Sequence, residues 1–349
     1  MLKKILLTIN KLLKKIAEFF KTKTANLVVF IVLALIGLAL FFVLNWFSDF
    51  KAISSIISQI KPLYFIALAS FAPIVLTIAC FRLQTILKGF GYKHIGFPDL
   101  LRISFQSSLI SLIIPSFEIS GETYKANKLK DKGISTPASY ATVFFDYLIV
   151  FFTNLLGAFV LLIYVLIKGL TGISWPLITL FVLVILVSIF LASRFLKRGW
   201  FSKFVSKLIP MEEKTIENLH LFDYRVSFFV KESKKYLVLA IILSILGFYW
   251  EILQIELALW FLQIPHNFFI TLVFYLGISY FNSVPVFGGI GFGESGAFIA
   301  GSALGIEEAY SLSLMLVLRI KQIVILIVGG LIFLREFLVK RKKTIPLPS

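Results

Sequence analysis

The chain has 349 residues, 59% of them hydrophobic and 15% charged, with a mean hydropathy of +0.94. An ordinary soluble domain is nearer about 45–50% apolar and about 25% charged, so this composition excludes one and indicates an all-α polytopic membrane protein. The net charge of +17, from 35 Lys and Arg against 18 Asp and Glu, would suit nucleic acid only on a soluble basic face. Here the basic residues collect between apolar runs, so no nucleic-acid partner is expected.

In chain order, residues 1–26 form a basic amphipathic segment. Leu2, Ile5, Leu6, Ile9, Leu12, Leu13 and Ile16 recur at helical spacing with Lys3, Lys4, Lys11, Lys14 and Lys15 between them. That pattern suits a helix on an anionic leaflet, or a positive-inside anchor for the first span. Crossing a bilayer takes about 20 apolar residues. Full spans are accordingly predicted at 27–47, 63–81, 138–167, 175–193, 236–262 and 311–334. Cys80 is the single cysteine and lies in an apolar run, while His94, His220 and His266 are scattered, so neither a disulfide nor a metal site is expected.

Two apolar stretches do not fit as spans. Residues 103–117 are short and end near Pro115, and residues 268–303 are broken by Pro285 and a glycine run. With both read as re-entrant hairpins and the N-terminus inside, the basic residues sort by the positive-inside rule. Seven in 1–26, four in 82–102, four in 119–137, ten in 194–235 and five in 335–349 fall inside, while only Lys51, Lys61 and Lys168 fall outside. Six spans and two hairpins make eight membrane segments, with both termini cytoplasmic. The order of segments in 63–167 then recurs upside down in 236–334, an inverted repeat joined through a basic cytoplasmic loop, 194–235. A basic tail, 336–349, follows.

The two hairpins share a pattern. "PSFEISGE" (Pro115–Glu122) and "PVFGGIGFGE" (Pro285–Glu294) both read Pro, x, Phe, linker, Gly-Glu. Broken segments in matching positions of two halves point to a transporter's substrate site. Gly291, Gly293 and Gly296 also match G-x-G-x-x-G, but no strand or soluble helix flanks them, so a dinucleotide site is excluded. Glycine allows a sharp turn with free N–H groups beside a helix start. The same glycines, as Gly289-x-x-x-Gly293, would also serve close helix packing.

Ionisable side chains inside apolar segments cost at least about 2.5–3.5 kcal/mol each at mid-bilayer and so call for a reason. They are Asp146, Glu251, Glu256, Arg319 and Lys321. Asp146, Glu251 or Glu294 is expected to pair with Arg319 or Lys321. Ser104, Ser107, Ser108 and Ser111 form a polar stripe leading towards Glu122. Neutralising Glu122 or Glu294 is expected to leave folding intact, because the glycine turns remain.

The order "P-x-x-x-x-x-GE-x-x-K" at 115–125, Asp146, "P-x-x-GG-x-G-x-x-E" at 285–294 and "LVLRI" around Arg319 resembles the flippase-like membrane domain of lysylphosphatidylglycerol synthase, over residues 25–335. The resemblance implies a domain that translocates a lipid such as aminoacylated phosphatidylglycerol. Carried over by position, Gly121, Glu122, Asp146, Pro285, Gly288, Gly289, Gly291, Glu294 and Arg319 match the pattern. Lys125 stands where an Arg is common, Phe287 replaces a second Pro, and Gly293 replaces an Arg before the acid.

The candidate substrate-binding residues are therefore Gly121, Glu122, Lys125, Asp146, Glu251, Gly288, Gly289, Gly291, Glu294 and Arg319, with no catalytic residue, metal or cofactor expected. The reading is an integral lipid translocase of the plasma membrane. Its partner is a membrane lipid with an anionic or zwitterionic headgroup, and a separate lipid-modifying enzyme and a homo-oligomer stay open. The rival is a membrane enzyme of lipid or polyprenyl-linked sugar metabolism using Glu122 and Glu294. Against it, no D-x-D-like metal site occurs in the basic loops and "GESGA" misses the G-x-S-x-G elbow by one residue; with 15 residues after Leu334, no synthase domain is expected.

Overall fold

A computed structural model describes residues 50–114, 119–168, 213–284 and 287–344, with scattered positions elsewhere. Apart from scattered positions, the expected segments 1–26, 27–47 and 175–193 and the first part of the loop 194–235, with Pro115 and Pro285, lie outside the described residues. The described chain is helical, in the order α1 (Phe50–Ser58), α2 (Pro62–Gly89), α3 (Phe97–Ile113), α4 (Ile119–Asp131), α5 (Thr136–Lys168), α6 (Glu213–Glu232), α7 (Lys234–Phe261), α8 (Phe268–Asn282), a 3-10 turn (Phe287–Gly289), α9 (Phe292–Ala303), α10 (Glu308–Leu318) and α11 (Ile320–Thr344).

Four stretches are long and apolar enough to span a bilayer: Pro62–Gly89, Thr136–Tyr164, Lys234–Phe261 and Glu308–Val339, the last formed by α10 and α11 together. These coincide with four predicted spans. Their ends follow local chemistry. Proline opens α2 and α3, where its missing N–H is no loss. The Asn267 side chain caps α8 by accepting from the N–H groups of Phe269 and Ile270, both at 3.0 Å. Most of the α7 face bearing Val238, Leu239, Ile242, Ile245 and Tyr249 is exposed, as a lipid-facing stripe would be.

Each odd stretch takes part in a helical hairpin, but the first is larger than expected: 103–113 belongs to α3, and the returning helix α4 lies in the segment 119–137 that was expected to be cytoplasmic. α4 runs back beside α3, with Ser107 Oγ donating to the Gly121 carbonyl at 2.9 Å and Tyr124 Oη to Gln106 Oε1 at 3.0 Å. α9 runs back beside α8, where Gly277 and Gly296 meet backbone to backbone. A Cβ on Gly121 would lie 2.4 Å from the Ser107 carbonyl, and one on Gly296 would lie 2.5 Å from that of Gly277. Both hairpins therefore close only through a glycine in the returning helix.

The packing order itself repeats. α3 pairs with α4 as α8 does with α9; α4 with α5 as α9 with α10; α2 with α3 as α7 with α8; and α11 with α3 as α5 with α8. α2 and α7 lie along each other. One apolar cluster gathers Leu83, Leu87, Leu100, Ile103 and Leu129 from α2, α3 and α4. Another gathers Ile255, Leu259, Phe274, Leu276, Ala297 and Leu314 from α7 to α10. Within the expected basic loop, α6 is an amphipathic helix whose Phe222, Val226 and Phe229 pack on Phe145 and Phe90.

Candidate functional site

Among the described residues, charged side chains in this apolar bundle neutralise one another in groups, three of which bear on the expected site residues. The first joins α2, α4 and α5. Arg82 Nε donates to Asp146 Oδ1 at 2.5 Å, and Lys125 Nζ reaches Glu122 Oε1 at 2.7 Å and Asp146 Oδ2 at 3.9 Å. Two cations and two carboxylates cancel. Arg82, Lys125 and Asp146 are buried, whereas the Glu122 side chain is 26% exposed.

The second group locks the other hairpin. Gly288, Gly289 and Gly291 have φ of +55°, +66° and +81°, a left-handed run that only glycine adopts cheaply. It turns the chain into the N-terminus of α9, where Glu294 Oε2 accepts the Gly291 N–H at 2.8 Å. Glu294, 1% exposed, is held by Arg319 Nη2 at 2.7 and 2.8 Å. Arg319 also donates to the carbonyls of Gly288 and Gly289 and, at 2.7 Å, to Gln322 Oε1. Gln322 Nε2 adds a bond to the Gly288 carbonyl at 3.0 Å. The carboxylate at the third helical position thus accepts the N-cap N–H, with no return bond because Gly291 has no side chain, and through Arg319 and Gln322 the turn is tied to α11. In the third group, Lys321 of α11 pairs with Glu251 of α7.

A cavity of 610 Å³ lies between these groups, lined from α3, α4, α5, α7, α8, the 3-10 turn, α10 and α11. Glu122, Glu251, Gly288 and Gly289 line it, with Ser107, Ser108, Ser111, Asn154, Gln254, Lys321 and Gln322. Tyr147, Phe151 and Tyr280 line it too and are 44%, 40% and 46% exposed. They are the exposed residues of its lining and lie on α5 and α8. Tyr275 Oη, donating to Asn154 Oδ1 at 2.9 Å, ties those helices deeper in.

The expected site residues divide. Glu122, Glu251, Gly288 and Gly289 face the cavity, while Gly121, Lys125, Asp146, Gly291, Glu294 and Arg319 stand behind its wall. Glu122 and Glu294 belong to different ion groups. Asp146 takes Arg82, not Arg319 or Lys321, because α2 continues two turns beyond its most apolar stretch and carries Arg82 into contact with α5. Glu294 takes Arg319 and Glu251 takes Lys321. Sequence reasoning missed Arg82, Asn154, Gln254 and Gln322; a polar side chain recurring one turn from another charge, as Gln322 does from Arg319, was the available signal for that residue.

The site also accounts for Gly293. A Cβ there would lie 2.3 Å from Asn282 Oδ1 and 2.6 Å from Met315 Cε, so no longer side chain fits this packing. The Gly289-x-x-x-Gly293 pair does serve close packing, since Asn282 sits against both glycines. Among the described residues no group of three or more His, Cys, Asp and Glu side chains is placed to hold a metal ion.

A polar cavity inside a bundle of membrane-length helices, walled by two broken hairpins, defines a polytopic helical membrane protein with an internal site. Residues 30–330 match the family described as the lysylphosphatidylglycerol synthase TM region, and the chain belongs to that family. No curated protein matches the chain.

Proposed function

We propose that the chain is a lipid translocase of the plasma membrane, with both termini cytoplasmic, moving the headgroup of a phospholipid or lipid-linked molecule between leaflets. The observation that carries the proposal is the cavity of 610 Å³. Its polar lining comes from both hairpins, and its exposed aromatic residues lie on α5 and α8. Such a shape suits a substrate whose headgroup enters the polar interior while its acyl chains stay in the bilayer. Broken backbone at membrane depth belongs where it lines such a cavity.

The matched packing of the two halves, with α3–α4 answering α8–α9, supports an inverted repeat of re-entrant hairpins around that site. The family description suggests aminoacylated phosphatidylglycerol as a substrate. The test is movement of acyl-chain-labelled fluorescent lipids in proteoliposomes, read by dithionite quenching. Loss of label protection faster than in protein-free vesicles, with the lipids chemically unchanged, is the expected result. Chemical conversion of a lipid without movement would instead identify an enzyme.

A further inference from the structure

Resting on the lipid-translocation reading and its orientation, we infer that the Lys321–Glu251 ion pair is a latch on the outer side of the cavity, broken and re-formed in each cycle, and that Arg82–Asp146 is its counterpart on the cytoplasmic side, shut in this conformation. The first ground is position. In each half an ion pair ties the first long helix to the last, Arg82 of α2 to Asp146 of α5 and Glu251 of α7 to Lys321 of α11, with the signs exchanged. Arg82 lies nearer Gly89 than Pro62, and Asp146 nearer Thr136 than Lys168, which puts this pair in the cytoplasmic half. Glu251 lies nearer Phe261 than Lys234, and Lys321 nearer Glu308 than Val339, which puts the other in the outer half.

The second ground is that the counterparts are in different states. Arg82 grips Asp146 twice, Nε on Oδ1 at 2.5 Å and Nη2 on Oδ2 at 3.3 Å, with Lys125 3.9 Å from the same carboxylate. Those side chains are 9% and 5% exposed, α2 packs on α5, and neither residue lines the cavity. Lys321 and Glu251 both line it and are 25% and 26% exposed. Among the described residues α7 and α11 do not pack along each other; each packs on α2 and α10, so the ion pair bridges two helices that are otherwise apart. A part-solvated pair contributes little to stability, whereas separating a buried one strands a charge. The outer link is therefore the one that opens easily here. Inverted repeats give access to opposite sides in turn around one site, and a loose pair in one half with a tight one in the other are two settings of the same device.

The experiment uses the full chain carrying Ser279→Cys, a thiol in the cavity lining, against the fully buried Cys80. A membrane-impermeant thiol reagent is applied to right-side-out and to inverted membrane vesicles, and movement of acyl-labelled phosphatidylglycerol and lysyl-phosphatidylglycerol is followed in proteoliposomes. Labelling is expected to be faster from the outside. Glu251→Gln and Lys321→Met should each raise outside labelling at least about fivefold and slow lipid movement by a similar factor, the low end for a coupled two-state change. The exchanged pair, Glu251→Lys with Lys321→Glu, should restore both. Where a single variant does not fold, Glu251→Cys with Lys321→Cys, bridged by a bifunctional methanethiosulfonate, should stop movement until the bridge is reduced. Faster labelling from the cytoplasmic side, single variants that leave labelling from both sides unchanged, an exchanged pair no better than the singles, or undiminished movement with the bridge formed would overturn the latch. If neither lipid moves above protein-free vesicles, the translocation reading falls for these lipids, and the labelling alone decides the latch.

Discussion

Glu294 and Glu122 come from similar sequence patterns but do different work. Glu294 accepts from the Gly291 N–H and from Arg319 while almost wholly buried, so it is part of the turn's architecture. The expectation that its neutralisation leaves folding intact changes accordingly. Removing one partner of a buried pair leaves an uncompensated charge and costs about 3–5 kcal/mol. Arg319→Ala and Glu294→Gln should each lower the unfolding midpoint in detergent sharply. Glu122→Gln should shift it far less, because Lys125 keeps Asp146 as a partner and Glu122 is a quarter exposed. Fluorescence-detected thermal unfolding of the three variants checks this ordering; a Glu122→Gln variant as unstable as Glu294→Gln would contradict it.

At the scale of elements, the hairpins owe their shape to a break followed by a glycine-mediated return. The exposed end of α4 and the α9–α10 connection are the informative surfaces. Under the charge distribution, single cysteines at the exposed positions 127 and 130–133 should react with membrane-impermeant thiol reagents from the cytoplasmic side only, and those at 305, 307 and 308 from the outside only. Cys80 is fully buried and gives a quiet background. Labelling of both sets from one face would remove the inverted arrangement. α6 belongs to this scale as well: its position against α5 and α7 makes Glu213–Glu232, within the basic loop, a packed element.

Across the whole molecule, both hairpins line one cavity, so a lipid bound there should act on them together. Hydrogen exchange in detergent is expected to slow in α3–α4 and in α8–α9 upon addition of a translocated lipid, with α6 unchanged. Slowing in one hairpin alone would show that the cavity does not work as a single site. The long α2–α7 contact should remain among the most protected regions with or without lipid, since exchange reports local opening and these helices pack along their length.

The sequence by itself determined the helical membrane class, four spans that coincide with described helices, and the places where two apolar stretches must break. Those properties follow from local rules: run length, proline, glycine and the cost of charge in hydrocarbon act residue by residue along the chain. It also marked Glu294, Arg319, Glu251 and Lys321 as residues needing partners. Only the tertiary structure decided which partners they took. Arg82 is 64 residues from Asp146 and Glu251 is 70 from Lys321, distances over which spacing carries no information. The cavity wall was equally hidden, because Asn154, Gln254 and Gln322 look like isolated polar residues until α5, α7 and α11 are packed around one space. Linear sequence specifies how each segment meets the bilayer; which side chains meet one another is set by helix crossings that glycine positions such as Gly121 and Gly296 permit.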